Sequence, residues 1–341
     1  MKYNTLGHTG LRVSELCLGC MTFGDGFFGI GQVDQAGARA LVARALEGGV
    51  NFFDTADVYS RGQSETLLGA ALSDLGVDRE SVVIATKVRG PMSDAAAQGS
   101  GDVNNVGLSR KHIIASCEAS LKRLGTDYVD LYQIHGVDAH TPLEETMGAL
   151  DDLVRRGLVR YTGCSNLPAW QIVKANALAD SRHGARFVSL QAFYALAGRD
   201  LEAELLPMCR AEGVGVMVWS PLAGGFLTGK YRRDAEVPGG SRRAGFDFPP
   251  IDKELGYDVV EALDAMARDK GATIPQLALA WLLHQAGVTT VVIGAKRMEQ
   301  LEDNLGAVGV RFSDAELAQL DRVARRTPSY PEWMVSRQSR A

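Results

Sequence analysis

Four side chains in the first half of the chain could together move a proton: Asp54, Tyr59, Lys87 and His135. Asn51-Phe52-Phe53 reads as the end of a short buried strand. Asp54 sits where that strand should stop, and Tyr59 falls on the loop beyond it. A carboxylate buried at a strand end costs several kcal/mol unless a cation or donor meets it. A second apolar run, Val82-Val83-Ile84-Ala85-Thr86, also ends on a charge, Lys87, the best partner for Asp54. A phenol with an ordinary pKa near ~10 is a weak acid at neutral pH. A neighbouring ammonium stabilises the phenolate and lowers that pKa, so Lys87, held charged by Asp54, would tune Tyr59. His135 could donate a hydrogen bond to a carbonyl oxygen and orient it. The set suits charge developing on oxygen as a carbonyl is reduced. It holds no nucleophile–base pair of the kind hydrolysis needs.

Residues this far apart meet only if strand ends converge. Apolar runs at 16–19, 51–54, 82–87, 128–135, 159–164, 187–191, 214–219 and 288–293 read as eight strands, with amphipathic helices between them. Asp34 opens a helix closed by Gly48-Gly49, and Ser109 opens one closed by Gly125. Thr141-Pro142-Leu143-Glu144 reads as a capping box with proline at the first helical position, closed by Gly157; Thr273–Gln276 and Ser313–Glu316 repeat the box. Eight strand–helix units point to a single (β/α)8 barrel domain over residues 1–341, preceded by a small hairpin around His8-Thr9-Gly10. A doubly wound sheet is the rival, but it would not end almost every strand on a polar residue. In a barrel, Ser165, Asn166, Gln191 and Trp219 join the first four residues on one face. Segments 88–108 and 226–253 exceed ordinary connections and should overhang that face.

The composition narrows the function. With 46% hydrophobic and 23% charged residues the chain reads as soluble and globular, and its net charge of −5 gives no case for nucleic acid or an anionic membrane. The N-terminus shows no secretory signal, and no stretch approaches the ~18 apolar residues of a membrane span. Five scattered cysteines fit reduced thiols in the cytoplasm. His135 and His140 lack a second ligand cluster at another strand end, so no metal is expected.

The ordered motifs Phe53-Asp54-Thr55-Ala56 with Tyr59, Thr86-Lys87, Gln133-Ile134-His135, Gly163-Cys164-Ser165-Asn166, Trp219-Ser220-Pro221-Leu222, and Gly294-Ala295-Lys296 with Gln300 and Asn304 resemble the aldo-keto reductase superfamily. The likeness spans the chain and is nearer the branch holding bacterial reductases and potassium-channel β subunits. It implies NADPH/NADP+ as cofactor, a small aldehyde or ketone as substrate, Tyr59 as general acid and His135 as the group positioning the carbonyl. It further implies that Ser165, Asn166 and Gln191 hold the nicotinamide carboxamide and that Trp219 stacks on the ring. Asp54, Gly19, Cys20, Met21, Ser220, Pro221, Gly294, Ala295, Asp303 and Asn304 join the cofactor contacts by the same likeness. Cys20 departs from the branch, where threonine is commoner. A redox-sensing adaptor that retains its cofactor is the competing role the branch suggests.

Two glycine motifs are decoys. Gly24-Asp25-Gly26-Phe27-Phe28-Gly29 has the G-x-G-x-x-G form, yet its helix opens only at Asp34, so Phe27 and Phe28 read as substrate-pocket walls. The run from Gly224 to Lys230 almost spells a phosphate loop, but Tyr231 replaces the required Ser or Thr. Leu222, Gly224, Leu227, Gly229 and Lys230 are expected near a pyrophosphate, through backbone donors and one cation. Lys296 and Arg297, at a helix start, suit a 2′-phosphate, with Gln300 and Asn304 toward the adenine. Arg232, Arg233, Arg242 and Arg243 read as solvated charges.

Overall fold

The computed structural model describes residues 1–27, 30, 32–236, 239 and 241–338. Phe28, expected in the substrate pocket, lies outside the described residues. An antiparallel hairpin of β1 (Tyr3–Thr5) and β2 (Arg12–Ser14) precedes the first barrel strand, β3 (Leu16–Gly19). A second ribbon, β4 (Gly24–Asp25) and β5 (Gln32–Val33), leads into α1 (Gln35–Glu47). The chain continues through β6 (Phe52–Asp54), α2 (Gln63–Asp74), β7 (Val83–Val88), α3 (Asp94–Gln98), α4 (Arg110–Leu124) and β8 (Val129–Ile134). Next come α5 (Leu143–Arg155), β9 (Val159–Ser165), α6 (Ala169–Ser181), β10 (Phe187–Phe193), α7 (Leu205–Glu212) and β11 (Gly215–Trp219). The remainder is α8 (Arg242–Gly245), α9 (Lys253–Lys270), α10 (Ile274–Leu283), β12 (Val288–Ile293), α11 (Met298–Gly306), α12 (Asp314–Val323) and α13 (Glu332–Gln338). Strands β3, β6, β7, β8, β9, β10, β11 and β12 are parallel and close in that order, β12 pairing back onto β3. The fold is the expected (β/α)8 barrel.

Side chains alternate across a strand, and the alternation decides which residues reach the barrel axis. Cys17, Phe52, Val83, Ala85, Leu131 and Met217 form one buried cluster, closed from below by Leu6 and Val13 of the hairpin. Two residues further along, the same face of each strand carries Gly19, Asp54, Lys87, Gln133 and Trp219. Apart from Trp219, each of these lumen stacks is therefore apolar at the bottom and polar or small at the top. Leu16, Leu18, Phe53, Ile84, Tyr132 and Ile134 fill the other face against the helices. Gly163 belongs to the crowded lumen, where a Cβ would come 2.4 Å from Ser189 Oγ.

Asp34, Ser109, Thr273 and Ser313 cap their helices as expected, the last two as full capping boxes. The box at Thr141 does not form. Pro142 is the cap residue, and Thr141 Oγ1 donates instead to Asp138 at 2.8 Å. Left-handed non-glycine residues gather just beyond strand ends: Ser60 and Arg61, Asn166, Ser220 and Ala223. Such conformations cost about 1–3 kcal/mol each and persist where surrounding contacts dictate them.

Candidate active site

Asp54 closes β6 level with Ala85 of β7, so Lys87 stands one pleat above it on the same lumen face. Lys87 Nζ donates to Asp54 Oδ2 at 2.6 Å, to Thr55 O at 2.8 Å and to Tyr59 OH at 3.4 Å. The other carboxylate oxygen accepts from Gln191 Nε2 at 2.8 Å and Gln133 Nε2 at 3.1 Å. Asp54 is thus buried but fully met, the condition under which a buried ion pair is tolerated. Burial disfavours the Lys87 ammonium, yet Asp54 and Tyr59 outweigh it and hold the group well above the usual lysine range.

Tyr59 opens a tight turn, Tyr59–Gly62, that nearby contacts pin. Ser60 Oγ donates to Phe23 O at 3.1 Å and Ser64 Oγ to Cys20 O at 2.7 Å. The fully buried Glu65 accepts from Thr86 Oγ1 at 2.5 Å and Arg123 Nε at 2.6 Å. The phenol does not end below its ordinary value. Burial raises it, Lys87 pulls it down, and burial wins. Tyr59 therefore rests as a protonated donor beside a permanent ammonium. The Tyr59 and His135 rings meet edge-on at 5.6 Å, and Phe27 meets Tyr59 at 5.1 Å, forming the aromatic wall expected there. Burial, then the charges of Lys87 and Arg89, pull His135 down to about 3, so its imidazole is neutral at physiological pH.

Across the barrel, Ser165, Asn166 and Trp219 form one network. Ser165 Oγ donates to Gln191 O, Asn166 Nδ2 donates to Ser165 Oγ and to His135 O, and Trp219 Nε1 donates to Asn166 Oδ1 at 3.1 Å. The amide of Gln191 is committed to Asp54. Phe248, from the long segment 226–253, stacks parallel to Trp219 at 5.7 Å, so this segment does overhang the face.

The cofactor expectations divide. Cys20 and Leu227 are fully buried in the outer core, and Leu227 N is bonded to Leu222 O. The amides of Ala223, Gly224 and Gly225 are engaged by Ser220 O, Ser220 Oγ and Leu222 O, so this loop offers a phosphate fewer backbone donors than expected. Gly224 is required for another reason: its φ is +65°, and a Cβ would come 2.3 Å from Phe248 O. Asp303 accepts from Thr273 Oγ1 at the cap of α10, and Asn304 is buried and donates to Gly294 O. Gln300 Oε1 caps α11 by accepting from Lys296 N and Arg297 N. Thr22 Oγ1 donates to Ala295 O, joining the loop after Gly19-Cys20-Met21 to that after β12.

The four arginines are not alike. Arg232 and Arg233 pair with Asp264, Glu254, Asp258 and Glu261 on α9. Arg243 is buried, contrary to expectation, and donates to Ala223 O at 2.7 Å and Pro249 O at 3.0 Å while pairing with Asp247. Arg242 points elsewhere, with a buried Nε that meets no partner. Burial and the charge of Arg243 hold its guanidinium below the usual arginine range. Burial, then Arg242, Lys230 and Arg297, likewise pull Lys296 down. Lys296 thus lies within reach of three other cations beyond β11 and β12. Sequence reasoning missed Arg242, because its separation from Arg243 depends on distant carbonyls. It also missed Asp57, buried, bonded to Ser116 Oγ and pushed up to about 7 by burial and Glu65.

A surface hollow of about 520 Å³ around Gly7, His8 and Glu212 touches none of these groups. No helix among the described residues is long and apolar enough to cross a membrane. All five cysteines are buried and unpaired.

The Aldo/keto reductase family profile matches residues 15–325. A probable voltage-gated potassium channel subunit beta of Arabidopsis thaliana is 37% identical, covering 97% of this chain and 99% of that protein. An uncharacterized oxidoreductase, YrpG, of Bacillus subtilis is 38% identical, covering 95% and 96%. The versiconal hemiacetal acetate reductase of Aspergillus parasiticus is 33% identical, covering 94% and 96%. With this match along nearly its whole length, the chain belongs to the aldo/keto reductase family.

Proposed function

We propose that the protein reduces aldehydes or ketones to alcohols with NADPH, Tyr59 giving the proton. The carrying observation is the ammonium of Lys87 held between Asp54 and Tyr59, beside a neutral His135. The residues fit a phosphorylated dinucleotide: Lys296 feels the charges of Arg242, Lys230 and Arg297, and the buried Arg242 Nε lacks an acceptor. Lys296 and Arg242 would hold its phosphates, while Ser165, Asn166 and Trp219 would hold the nicotinamide. When bound, that group supplies the hydride. His135 keeps one N–H for the substrate oxygen, since its neutral ring stays neutral through the working pH range. Lys87 stabilises the phenolate as Tyr59 releases its proton to the oxygen, and Asp54 keeps Lys87 charged and aimed. The rings of Phe27 and Tyr59 on one side, and of Trp219 and Phe248 on the other, would limit water at the reacting carbon.

The experiment is turnover under excess NADPH with a panel of aldehydes, ketones, sugars and quinones. Repeated oxidation of NADPH, at roughly 1–10 s⁻¹ on a good substrate, supports the reading. One stoichiometric burst without further turnover would favour a cofactor-retaining, redox-sensing adaptor instead.

A further inference from the structure

Among the described arginines near the mouth of the barrel, Arg61 pairs with Asp94, and Arg232, Arg233 and Arg243 all meet carboxylates. Arg242 is accounted for by the cofactor phosphates. Arg89 remains. It stands two residues beyond Lys87, and its side chain is exposed. Its Nε donates to Val137 O at 2.7 Å, which lays the guanidinium along Gly136, the residue next to His135. No carboxylate among the described residues pairs with it. The acid on the adjoining segment, Asp138, is filled by Leu108 N, His140 N and Thr141 Oγ1.

This is not a loose surface charge. Lys87 O accepts from Asp57 N, Val88 O from His135 N, and Arg89 O from Gly107 N, so three consecutive carbonyls fix the backbone. Gly90 is wedged against Val58, where a Cβ would come 2.8 Å from the valine Cγ2. Arg89 itself has φ +152°, a strained value for a residue with a side chain. A planar guanidinium pinned by its Nε still presents two NH₂ groups side by side, the fork that grips a carboxylate. The neighbouring His135 also feels its positive charge.

We propose that Arg89 anchors a carboxylate on the substrate, so that the preferred carbonyl compounds are aldehydes carrying a negative charge. The proposal rests on the reductase reading and deepens it. Compare kcat/KM for 4-carboxybenzaldehyde and 4-methylbenzaldehyde in the wild type, Arg89→Met and Arg89→Lys. The anion should be preferred by about tenfold or more, through KM, since a charge-assisted pair contributes that much. Arg89→Met should abolish the preference and Arg89→Lys restore part of it. Equal values in the wild type, or a preference surviving Arg89→Met, overturn the anchor. Calorimetry of 4-carboxybenzyl alcohol and 4-methylbenzyl alcohol, with and without NADP+, separates the two readings. Arg89-dependent carboxylate binding without turnover keeps the anchor and removes the reductase. Turnover of the neutral aldehyde without Arg89-dependent binding keeps the reductase and removes the anchor.

Discussion

The proton-donating end of the site and the cation cluster beyond β11 and β12 are built on opposite principles. Asp54, Lys87, Gln133 and Gln191 satisfy one another inside the barrel, so the buried charges there are balanced before any ligand arrives. At the other end Lys296 is pulled down by burial and by Arg242, Lys230 and Arg297, and Arg242 keeps a buried donor without an acceptor. The first arrangement fixes geometry in advance, which electrostatic catalysis requires. The second stores repulsion that an anion relieves, so its cost is recovered only on binding.

The contrast breaks most sharply at Lys87. Lys87→Met should destabilise the protein by about 3–5 kcal/mol, because it leaves Asp54 buried without its cation. The double variant Asp54→Asn/Lys87→Met should recover most of that stability without recovering turnover. Urea unfolding of the wild type, Asp54→Asn, Lys87→Met and the double variant gives the comparison, and additive losses would show that the pair is not one unit.

Asp57 tests the same end by pH. Its folded-state pKa, about 7, stands above the ordinary 3.8. The neutral carboxyl is therefore favourable below about 3.8, and its contribution is lost as pH rises through 7. Asp57→Asn should gain stability relative to wild type between pH 5 and pH 8, by roughly 2–4 kcal/mol. A difference in unfolding free energy that does not change with pH would contradict it.

At the cation cluster the signs reverse. Removing Arg242 as Arg242→Met should leave the protein alone as stable or about 0.5–1 kcal/mol more so, by lifting repulsion. The same change should weaken NADPH by about tenfold or more, and NADH less if a phosphate is its target. Lys296→Ala should move the ratio of NADPH to NADH dissociation constants in the same direction. A ratio untouched by both would mean that neither cation meets the 2′-phosphate.

The two ends also differ in how far the sequence revealed them. Asp54, Lys87 and Trp219 were legible because each ends an apolar run, and strand alternation then aims it at the axis. Tyr59 and His135 were legible beside them through their order along the chain. In the cation cluster Lys230, Lys296 and Arg297 were legible from their loops, but Arg242 was not, because its placement is tertiary: Arg243 is drawn inward by the carbonyls of Ala223 and Pro249, which frees Arg242. Local chemistry also misled where a second neighbour competed, as when Asp138, three residues back, took the Thr141 hydroxyl from its helix cap. Gln133 lay inside a quoted motif, yet its part in holding Asp54 shows only once β8 stands beside β7.

The account stands or falls on the phenol of Tyr59. Single-turnover hydride transfer from saturating NADPH to a generic aromatic aldehyde should fall about 10²–10⁴-fold in Tyr59→Phe, while the NADPH dissociation constant stays near the wild-type value. Because His135 titrates near 3, the wild-type rate should show no histidine step between pH 6 and pH 8. A Tyr59→Phe protein that transfers hydride at most of the wild-type rate would contradict the assignment.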